Sequence, residues 1–468
     1  MSMMQLDARE LLNIEHLRAQ NVDGLQGKRL RGVSTDSRTV KAGDVFFAIK
    51  GERFDGHAFV AGAFSQGCIA AVVEERFKEH GASLEGVPLF FVRDSIRTLG
   101  QFARWYRRKF DIPVVAVTGT NGKTTTKEMI AAVLGQKYAV LKTEGNLNNH
   151  IGVPTTLFRL DKRHDVAVVE MGTNHFGEID YLCSVAEPTH GLITNIARAH
   201  LEFFSGLDGV AKAKGEMYDW LSSRGTGFVN VDDPLIVERA KLLKHRFTYS
   251  YGGKRANVKG RFLGLNEKVQ PRFSFLVRPL SRPLSVQLQT YGKHTAENAL
   301  AAAAVGSHFG VSARKIKSAL ERHHPGSKRM QVLRISGVTI LNDTYNANPD
   351  SVLSALHTLA VMECRGKRIV VLGDMLELGN SSEREHRRIG EEVRRLGFRY
   401  VLTYGNESAN VGTESHATYA FHYNEKPALV AYLEELVTSG DVVLVKGSRG
   451  MKMEDVVIHL TEHLRAKK

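Results

Sequence analysis

Residues 114–126 read VVAVTGTNGKTTT: four apolar residues, a glycine-rich turn, a lysine and three threonines. An apolar strand that runs into such a turn and then a helix is the layout of a nucleoside triphosphate site. Gly119 and Gly122 carry no Cβ, so the backbone can turn its N–H groups toward a phosphate along Gly119, Thr120, Asn121 and Gly122. Lys123 offers a point charge to the β- and γ-phosphates, and Thr124, followed by Thr125, offers a hydroxyl to Mg²⁺. A helix over 124–136 then points the positive end of its dipole at the same phosphates. The strict P-loop pattern asks for glycine five positions before Gly122, where this chain has Val117, so the loop is a GTNGKTT variant.

Two further groups fall at the ends of apolar segments. The stretch 165–171, DVAVVEM, reads as a buried strand ending on Glu170, and 190–196 as a strand leading to His200. Sites of doubly wound sheets lie at the carboxyl ends of strands. Thr124, Glu170 and His200 therefore share one sheet edge in this reading, and hydroxyl, carboxylate and imidazole together make a divalent metal site. Between them, TEGNLNNHIGVP at 143–154 is an Asn-rich loop containing Asn146, Asn148 and Asn149.

The elements that position these groups fall into three stretches. Residues 1–85 hold short strands and polar turns. One turn cluster is Ser34, Thr35, Asp36, Ser37 and Arg38. The other is Lys50, Gly51, Phe54, Asp55, Gly56 and His57, across the apolar VFFAI strand. These are either plain turns or two sides of a cup for a polar ligand. An amphipathic helix over 95–110 ends this stretch. In the middle, 207–222 reads as a helix with Lys212 and Lys214 on a solvated face. Residues 246–290 read as hairpins, and the alanine-rich 294–309, which holds Asn298, as a helix. After Pro325-Gly326, strands near 331–341, 368–372, 399–403 and 441–445 alternate with helices near 349–362, 382–396, 426–438 and 454–465. This is a Rossmann-type unit without a GxGxxG fingerprint. Two polar loops come after strands in it, NDTYNANP at 342–349 and KGSRG at 446–450.

Composition sets the frame. The chain has 468 residues, 43% hydrophobic and 24% charged, which is ordinary globular composition for about three domains. There is no apolar run long enough for a transmembrane helix, and the opening MSMMQLDARELL has no apolar signal region. Cys68, Cys183 and Cys364 are sparse and odd in number, which favours the reducing cytoplasm over a disulfide framework. The net charge of +14 is scattered rather than blocked, so a polyanionic small substrate explains it as well as nucleic acid does.

Taken in order, GTNGKTTT, EMGTNHFGEID, NIARAHLEFF, GVAKAKGE, GKHTAENALAA, NDTYNANP and KGSRGM resemble the Mur ligase family over essentially the whole chain. Within it, GNLNNHIGVP, NDTYNANP, GDMLELG and KGSRGM are most similar to the members that add D-alanyl-D-alanine to UDP-N-acetylmuramoyl-tripeptide. The DNPR signature of the diaminopimelate-adding members is absent. The resemblance implies three α/β domains: a small UDP-binding domain at 1–111, a central P-loop-type ATPase domain at 112–325 and a C-terminal Rossmann-like domain at 326–468. It implies an ATP-dependent amide ligase of peptidoglycan precursor synthesis. Such an enzyme works through an acyl phosphate and releases ADP, phosphate and the UDP-N-acetylmuramoyl-pentapeptide. It is expected to be a cytoplasmic monomer with no nucleic-acid partner and no membrane insertion.

By matched motif, the two N-terminal polar clusters, with Asn146, Asn148 and Asn149, belong to the UDP-substrate. Lys123 and Thr124 hold phosphates and magnesium, and Glu170 and His200 are metal ligands. Lys214 matches a lysine carbamylated in many members, where the carbamate supports a second Mg²⁺. Asn298, Asp343, Asn346 and Asn348 bind adenosine. Arg329 lies near the phosphates at the domain hinge, preceded by Lys328 where the family usually has glycine. Lys446, Ser448 and Arg449 face the dipeptide. Lys123, Lys214 and His200 form the implied catalytic set. Two rival readings make different predictions. A nucleic-acid motor predicts polynucleotide-stimulated hydrolysis with steep salt dependence. A folylpolyglutamate synthetase-like ligase lacks the UDP-recognising N-terminal domain.

Overall fold

A computed structural model describes residues 4–51, 54–77, 86–198, 201–204, 206–278 and 280–467. The chain forms three α/β domains, each built on its own main sheet. The first has strands in the order Arg18–Gln20, Leu89–Val92, Ala70–Glu74, Asp44–Phe47, Gly32–Ser34, with only the first of these antiparallel to its neighbour. Gly32–Ser34 and Asp44–Phe47 are parallel neighbours, Ser34 opposite Phe46. The polar segments that leave them, 34–38 and 50–57, therefore emerge from one edge of this sheet.

The central sheet has nine strands, and Val114–Thr118, the strand before the glycine-rich turn, lies inside it. It is flanked on both sides by parallel partners, Val166–Glu170 and His190–Ile193. All five of its residues are buried, as a strand covered on both faces requires. Register aligns the strand ends: Val117 pairs with Glu170, and Thr118 with Ile193. The turn, the Glu170 carboxylate and the segment after Ile193 thus emerge side by side. The strand expected over 190–196 stops at Ile193, because Thr194 and Asn195 turn their polar groups toward the loop instead.

Above this edge the helix Lys123–Leu134 packs on the helix His294–His308. Ala299 and Ala301–Ala304 are buried, and a Cβ on Gly306 would come within 2.3 Å of Val133. Small side chains let the two axes approach closely. Of the stretch read as hairpins, Val258–Leu265, Pro271–Val277 and Leu284–Gln287 are antiparallel. His245–Ser250 differs: it pairs in parallel with Thr226–Asn230 and extends the main sheet.

The third sheet runs Gln331–Ile335, Val338–Asp343, Val442–Lys446, Arg368–Gly373, Tyr400–Tyr404, Tyr419–Tyr423, parallel except for the first pair. The single strand expected over 331–341 is a hairpin. Ser336 (φ 49°) and Gly337 (φ 79°) make its turn, with the two positive φ angles that suit the twist of the strands. The edge strand Tyr419–Tyr423 carries mostly exposed side chains, so no hydrophobic run announced it. The other helices and strands read from the sequence are present within a few residues of their expected ends.

The first two domains are welded together. Glu187, with left-handed backbone at the end of a helix, accepts from Arg104 (2.9 Å) and Arg108 (2.6 Å) of the helix Ser95–Arg107 and its cap. Buried Arg107 donates to the Ala186 carbonyl at 3.0 Å. The third domain touches the second through fewer polar contacts. Asn348 donates to the Asn121 side chain (2.7 Å), Arg198 N–H donates to Asp350 (2.9 Å), and Glu202 N–H donates to the Glu377 carbonyl (3.4 Å).

Candidate active site

Between the second and third domains lies a cavity of about 570 Å³. One wall is the glycine-rich loop with Glu170. The opposite wall comes from Arg329, the loop 343–348 and the loop 446–450.

The loop is clamped from outside. Asn195 reads both sides of Asn121, accepting from its N–H (3.0 Å) and donating to its carbonyl (3.0 Å). Thr194 Oγ1 donates to the same carbonyl at 2.6 Å, and Thr120 is tied to Ala197. Gly119 has φ +141°, and a Cβ there would fall 1.9 Å from Thr194 Oγ1. Gly122 has φ +77°, and its Cβ would meet Asn298 at 2.7 Å. Both glycines are required by conformation and by space. Lys123 Nζ folds back onto the carbonyls of Gly119 (2.8 Å) and Thr120 (3.0 Å). Burial pushes its pKa down, opposed by the Glu170 carboxylate and reinforced by the Arg329 charge. A phosphate entering the loop would relieve that penalty.

Glu170, itself buried, accepts at Oε1 from Thr124 Oγ1 (3.1 Å) and Asn148 Nδ2 (2.8 Å). Its Oε2 is buried without a hydrogen bond, 4.0 Å from Lys127 Nζ. An unsatisfied carboxylate oxygen beside a threonine hydroxyl fits Mg²⁺, which takes one or two protein oxygens and leaves the rest to water and phosphate. Among the described residues no three His, Cys, Asp or Glu side chains cluster as a metal site. His200, expected as a ligand, lies outside the described residues.

Lys214 is buried in the helix Leu207–Leu221, whereas Lys212 on the same helix is exposed. The solvated-face reading fails for Lys214 because it falls on the side of Val210, Met217 and Leu221. No hydrogen bond or ion pair reaches its amine among the described residues. Burial and then the Lys123 charge drive its pKa well below the usual lysine value.

On the opposite wall, Asp343 and Lys446 are in-register neighbours on adjacent strands and form an ion pair at 2.5 Å. Asp343 also accepts from Met330 N–H (2.9 Å), and Lys446 donates to the Asn346 carbonyl (2.8 Å). The charges of both are engaged in shaping the loop. Asn346 Oδ1 accepts from Arg449 N–H at 3.2 Å. Asn348 caps the helix Pro349–Val361 through Ser351 N–H while its amide reaches Asn121. Ser448 Oγ accepts from Leu376 N–H (2.8 Å) and donates to the Ala347 carbonyl (3.2 Å). The Arg329 guanidinium lies 3.6 Å from the Tyr345 ring centre, a cation–π contact. Lys328 has φ 59°, the left-handed region that favours glycine, and its ammonium pairs with Glu454 at 3.0 Å.

The structure thus brings Thr120, Asn121, Gly122, Lys123, Thr124, Thr125, Asn148, Glu170, Asn298, Arg329, Asp343, Asn346, Asn348, Lys446, Ser448 and Arg449 to one cavity. Gly119 and Lys214 stand outside its lining, as do Asn146 and Asn149, the last of which accepts at Oδ1 from Gly152 N–H at 2.9 Å. The N-terminal clusters also lie away from it. There Asp36 holds Arg38, and His57 sits between Asp55 (2.6 Å) and Glu74 N–H (2.9 Å). Because His57 Nε2 accepts that N–H, its Nδ1 carries the proton toward Asp55. Arg38 is largely exposed, so a ligand can reach it, while it holds Asp36 well below the carboxylate range, at about 2. Sequence reasoning missed Asn195, Tyr345 as a partner of Arg329, and Glu454. Asn195 and Tyr345 stand inside motifs already singled out, but nothing in spacing marked their roles.

Three family profiles match the chain in order. Mur ligase family, catalytic domain, covers residues 29–104; Mur ligase middle domain covers 117–306; Mur ligase, glutamate ligase domain, covers 328–449. The chain is 37% identical over 454 residues to the UDP-N-acetylmuramoyl-tripeptide–D-alanyl-D-alanine ligase of Haemophilus influenzae, covering 94% of this chain and 96% of that one. A crystal structure of MurF from Acinetobacter baumannii superposes with a TM-score of 0.88 at 31% identity, covering 99% and 100% of the two chains. MurF ligase from Thermotoga maritima in complex with ADP superposes with a TM-score of 0.81 at 27% identity, over 94% and 99%.

Proposed function

The chain belongs to the Mur ligase family, and we propose that it joins D-alanyl-D-alanine to the peptide carboxylate of UDP-N-acetylmuramoyl-tripeptide with conversion of ATP to ADP and phosphate. The observation that carries this reading is the cavity that joins a phosphate loop, with Thr124 against Glu170, to the polar loops of the third domain. A carboxylate is a poor acyl donor because oxide does not leave. Phosphorylation by ATP gives an acyl phosphate, and the dipeptide amine then attacks the carbonyl and expels phosphate.

In this reading Lys123 leaves its own loop carbonyls and takes the β- and γ-phosphates. The helix Lys123–Leu134 adds the positive end of its dipole. Thr124 and Glu170 hold one Mg²⁺, which when bound supplies charge neutralisation on the transferred phosphoryl group. Lys214, whose pKa burial lowers toward the neutral amine, would add CO₂ at that amine and release one proton. The resulting carbamate would support a second Mg²⁺, and His200 would complete the metal ligands. Arg329 approaches the phosphates from the Tyr345 face, Asn298 and the loop 343–348 take the adenosine, and Arg449 and Ser448 meet the dipeptide. Asn148 reaches the tripeptide end from the Glu170 side. The clusters 34–38 and 50–57 hold the uridine diphosphate. The domains divide at 1–111, 112–325 and 326–468, with Pro325-Gly326 as the hinge. Closing the third domain excludes water from the acyl phosphate.

No helix among the described residues is long and apolar enough to cross a membrane. All three cysteines are free, which suits the reducing cytoplasm, where this reading places the enzyme as a monomer. The test is phosphate release with ATP, Mg²⁺ and the UDP-linked tripeptide, with and without D-alanyl-D-alanine. Release is expected to depend on the dipeptide and to match pentapeptide formed. Release that ignores the dipeptide, or responds better to another amine, overturns the reading.

A further inference from the structure

Glu454 opens the last helix, Glu454–Ala466, outside the cavity lining, yet it touches two segments of the far wall, the residue before Arg329 and the loop 446–450. Its Oε1 accepts from Lys328 Nζ at 3.0 Å and from Arg449 Nη1 at 2.9 Å. The side chain is 13% exposed, and Oε2 is buried without a hydrogen bond. Lys328 immediately precedes Arg329, and its carbonyl accepts from Tyr345 N–H at 3.1 Å. Arg449 belongs to the loop on the dipeptide side, and its guanidinium stands 5.9 Å from the same Tyr345 ring. One carboxylate therefore ties together residue 328, next to Arg329, and residue 449, whose guanidinium shares the Tyr345 ring with Arg329.

The charges divide accordingly. Lys328 and Arg449 share Glu454, whereas Arg329 has no carboxylate within ion-pair distance among the described residues and rests only on Tyr345. Without Glu454, Lys328 and Arg449 would lose the carboxylate they share, and Arg449 would stand beside Arg329 at the Tyr345 ring with its charge unpaired. The pairing of two keeps the third free for a phosphate. Backbone geometry does not explain the lysine. A glycine would take φ 59° without strain, so the Lys328 side chain answers another need.

We infer that Glu454 is a positioning residue of the ligase reaction, which couples the nucleotide side, through Lys328 and Arg329, to the dipeptide side, through Arg449. This rests on the ligase reading above. It deepens that reading by assigning a residue that touches neither substrate.

The experiment uses the full-length enzyme and three variants, Glu454→Gln, Lys328→Gly and the double variant. ADP affinity is measured by titration, KM for D-alanyl-D-alanine by turnover, and Tm by thermal melting. Glu454→Gln is expected to weaken ADP binding and raise the dipeptide KM, each about tenfold, the size of a lost charge-assisted contact. Lys328→Gly, at a position whose backbone suits glycine, is expected to weaken ADP binding while changing the dipeptide KM less. The double variant should bind ADP no worse than Glu454→Gln, because both substitutions break one tie. A purely structural role predicts lower Tm and active fraction with both constants unchanged. That result, or additive losses in the double variant, overturns the inference. ADP affinity is read without turnover, so the tie is scored even if the wild-type protein were to prefer another amine and the ligase reading failed.

Discussion

Individual side chains in the cavity carry charges that the surrounding fold makes costly until substrate arrives. Lys123 is the clearest case, with its ammonium bonded to its own loop and its pKa pushed down by burial. Lys123→Ala should lower turnover by at least about 10²-fold while leaving UDP-substrate affinity unchanged. Phosphate release and equilibrium binding of the UDP-linked substrate check the two halves, and loss of both would show the domain roles wrongly assigned. Lys214 gives a second prediction. Burial, then the Lys123 charge, lowers its pKa well below the usual lysine value and so favours the neutral amine, the form that attacks CO₂. Enzyme equilibrated with ¹³C-bicarbonate should show a carbamate carbon signal that Lys214→Ala abolishes, and activity should fall in carbonate-free buffer. Sequence spacing made the phosphate loop and Glu170 legible, because strand, turn and helix signals coincide there. It could not find Glu454, whose partners lie on two other loops and meet it only after the third domain folds.

Elements carry their own constraints. Gly119 pairs a forbidden φ with a wall at Thr194 Oγ1, so Gly119→Ala must displace either the loop or the strand end of His190–Ile193. Nucleotide affinity should drop by more than about tenfold with only modest loss of Tm. At the opposite end of that strand, His190 Nε2 and His308 Nε2 stand 3.2 Å apart among Phe228, Phe247 and Phe309. Burial, then the neighbouring His308, pushes His190 down to about 4, and burial lowers His308 as well. Between about pH 4 and the ordinary value of 6.5 the unfolded chain binds more protons, so stability falls as pH falls through this window. Denaturant midpoints at pH 4.5 and 7 should show the loss, about 1–2 kcal/mol, and His308→Phe should reduce it. Hydrophobic period revealed most helices and buried strands. It failed at 331–341, where apolar residues on both sides of Ser336-Gly337 hid the turn between two strands, and at the exposed strand Tyr419–Tyr423.

At the scale of the molecule, the first two domains share paired arginines on Glu187 and the buried Arg107 on the Ala186 carbonyl, while the third meets the second through a few polar ties. Motion should therefore concentrate at the second boundary. Asp350→Asn keeps the helix Pro349–Val361 but weakens the tie to Arg198, whose guanidinium also lies 3.9 Å away. It should raise the KM for ATP severalfold and increase the radius of gyration of the nucleotide-bound enzyme in solution scattering. The order of motifs along the sequence made three domains legible, but which pairs of domains are rigid depends on side-chain pairings such as Arg108–Glu187 that no local pattern announces. The most direct test of the whole account traces oxygen. With both carboxylate oxygens of the tripeptide labelled with ¹⁸O, an acyl phosphate requires every released phosphate to carry one label and the new amide to keep the other. Unlabelled phosphate accompanying pentapeptide formation would contradict it.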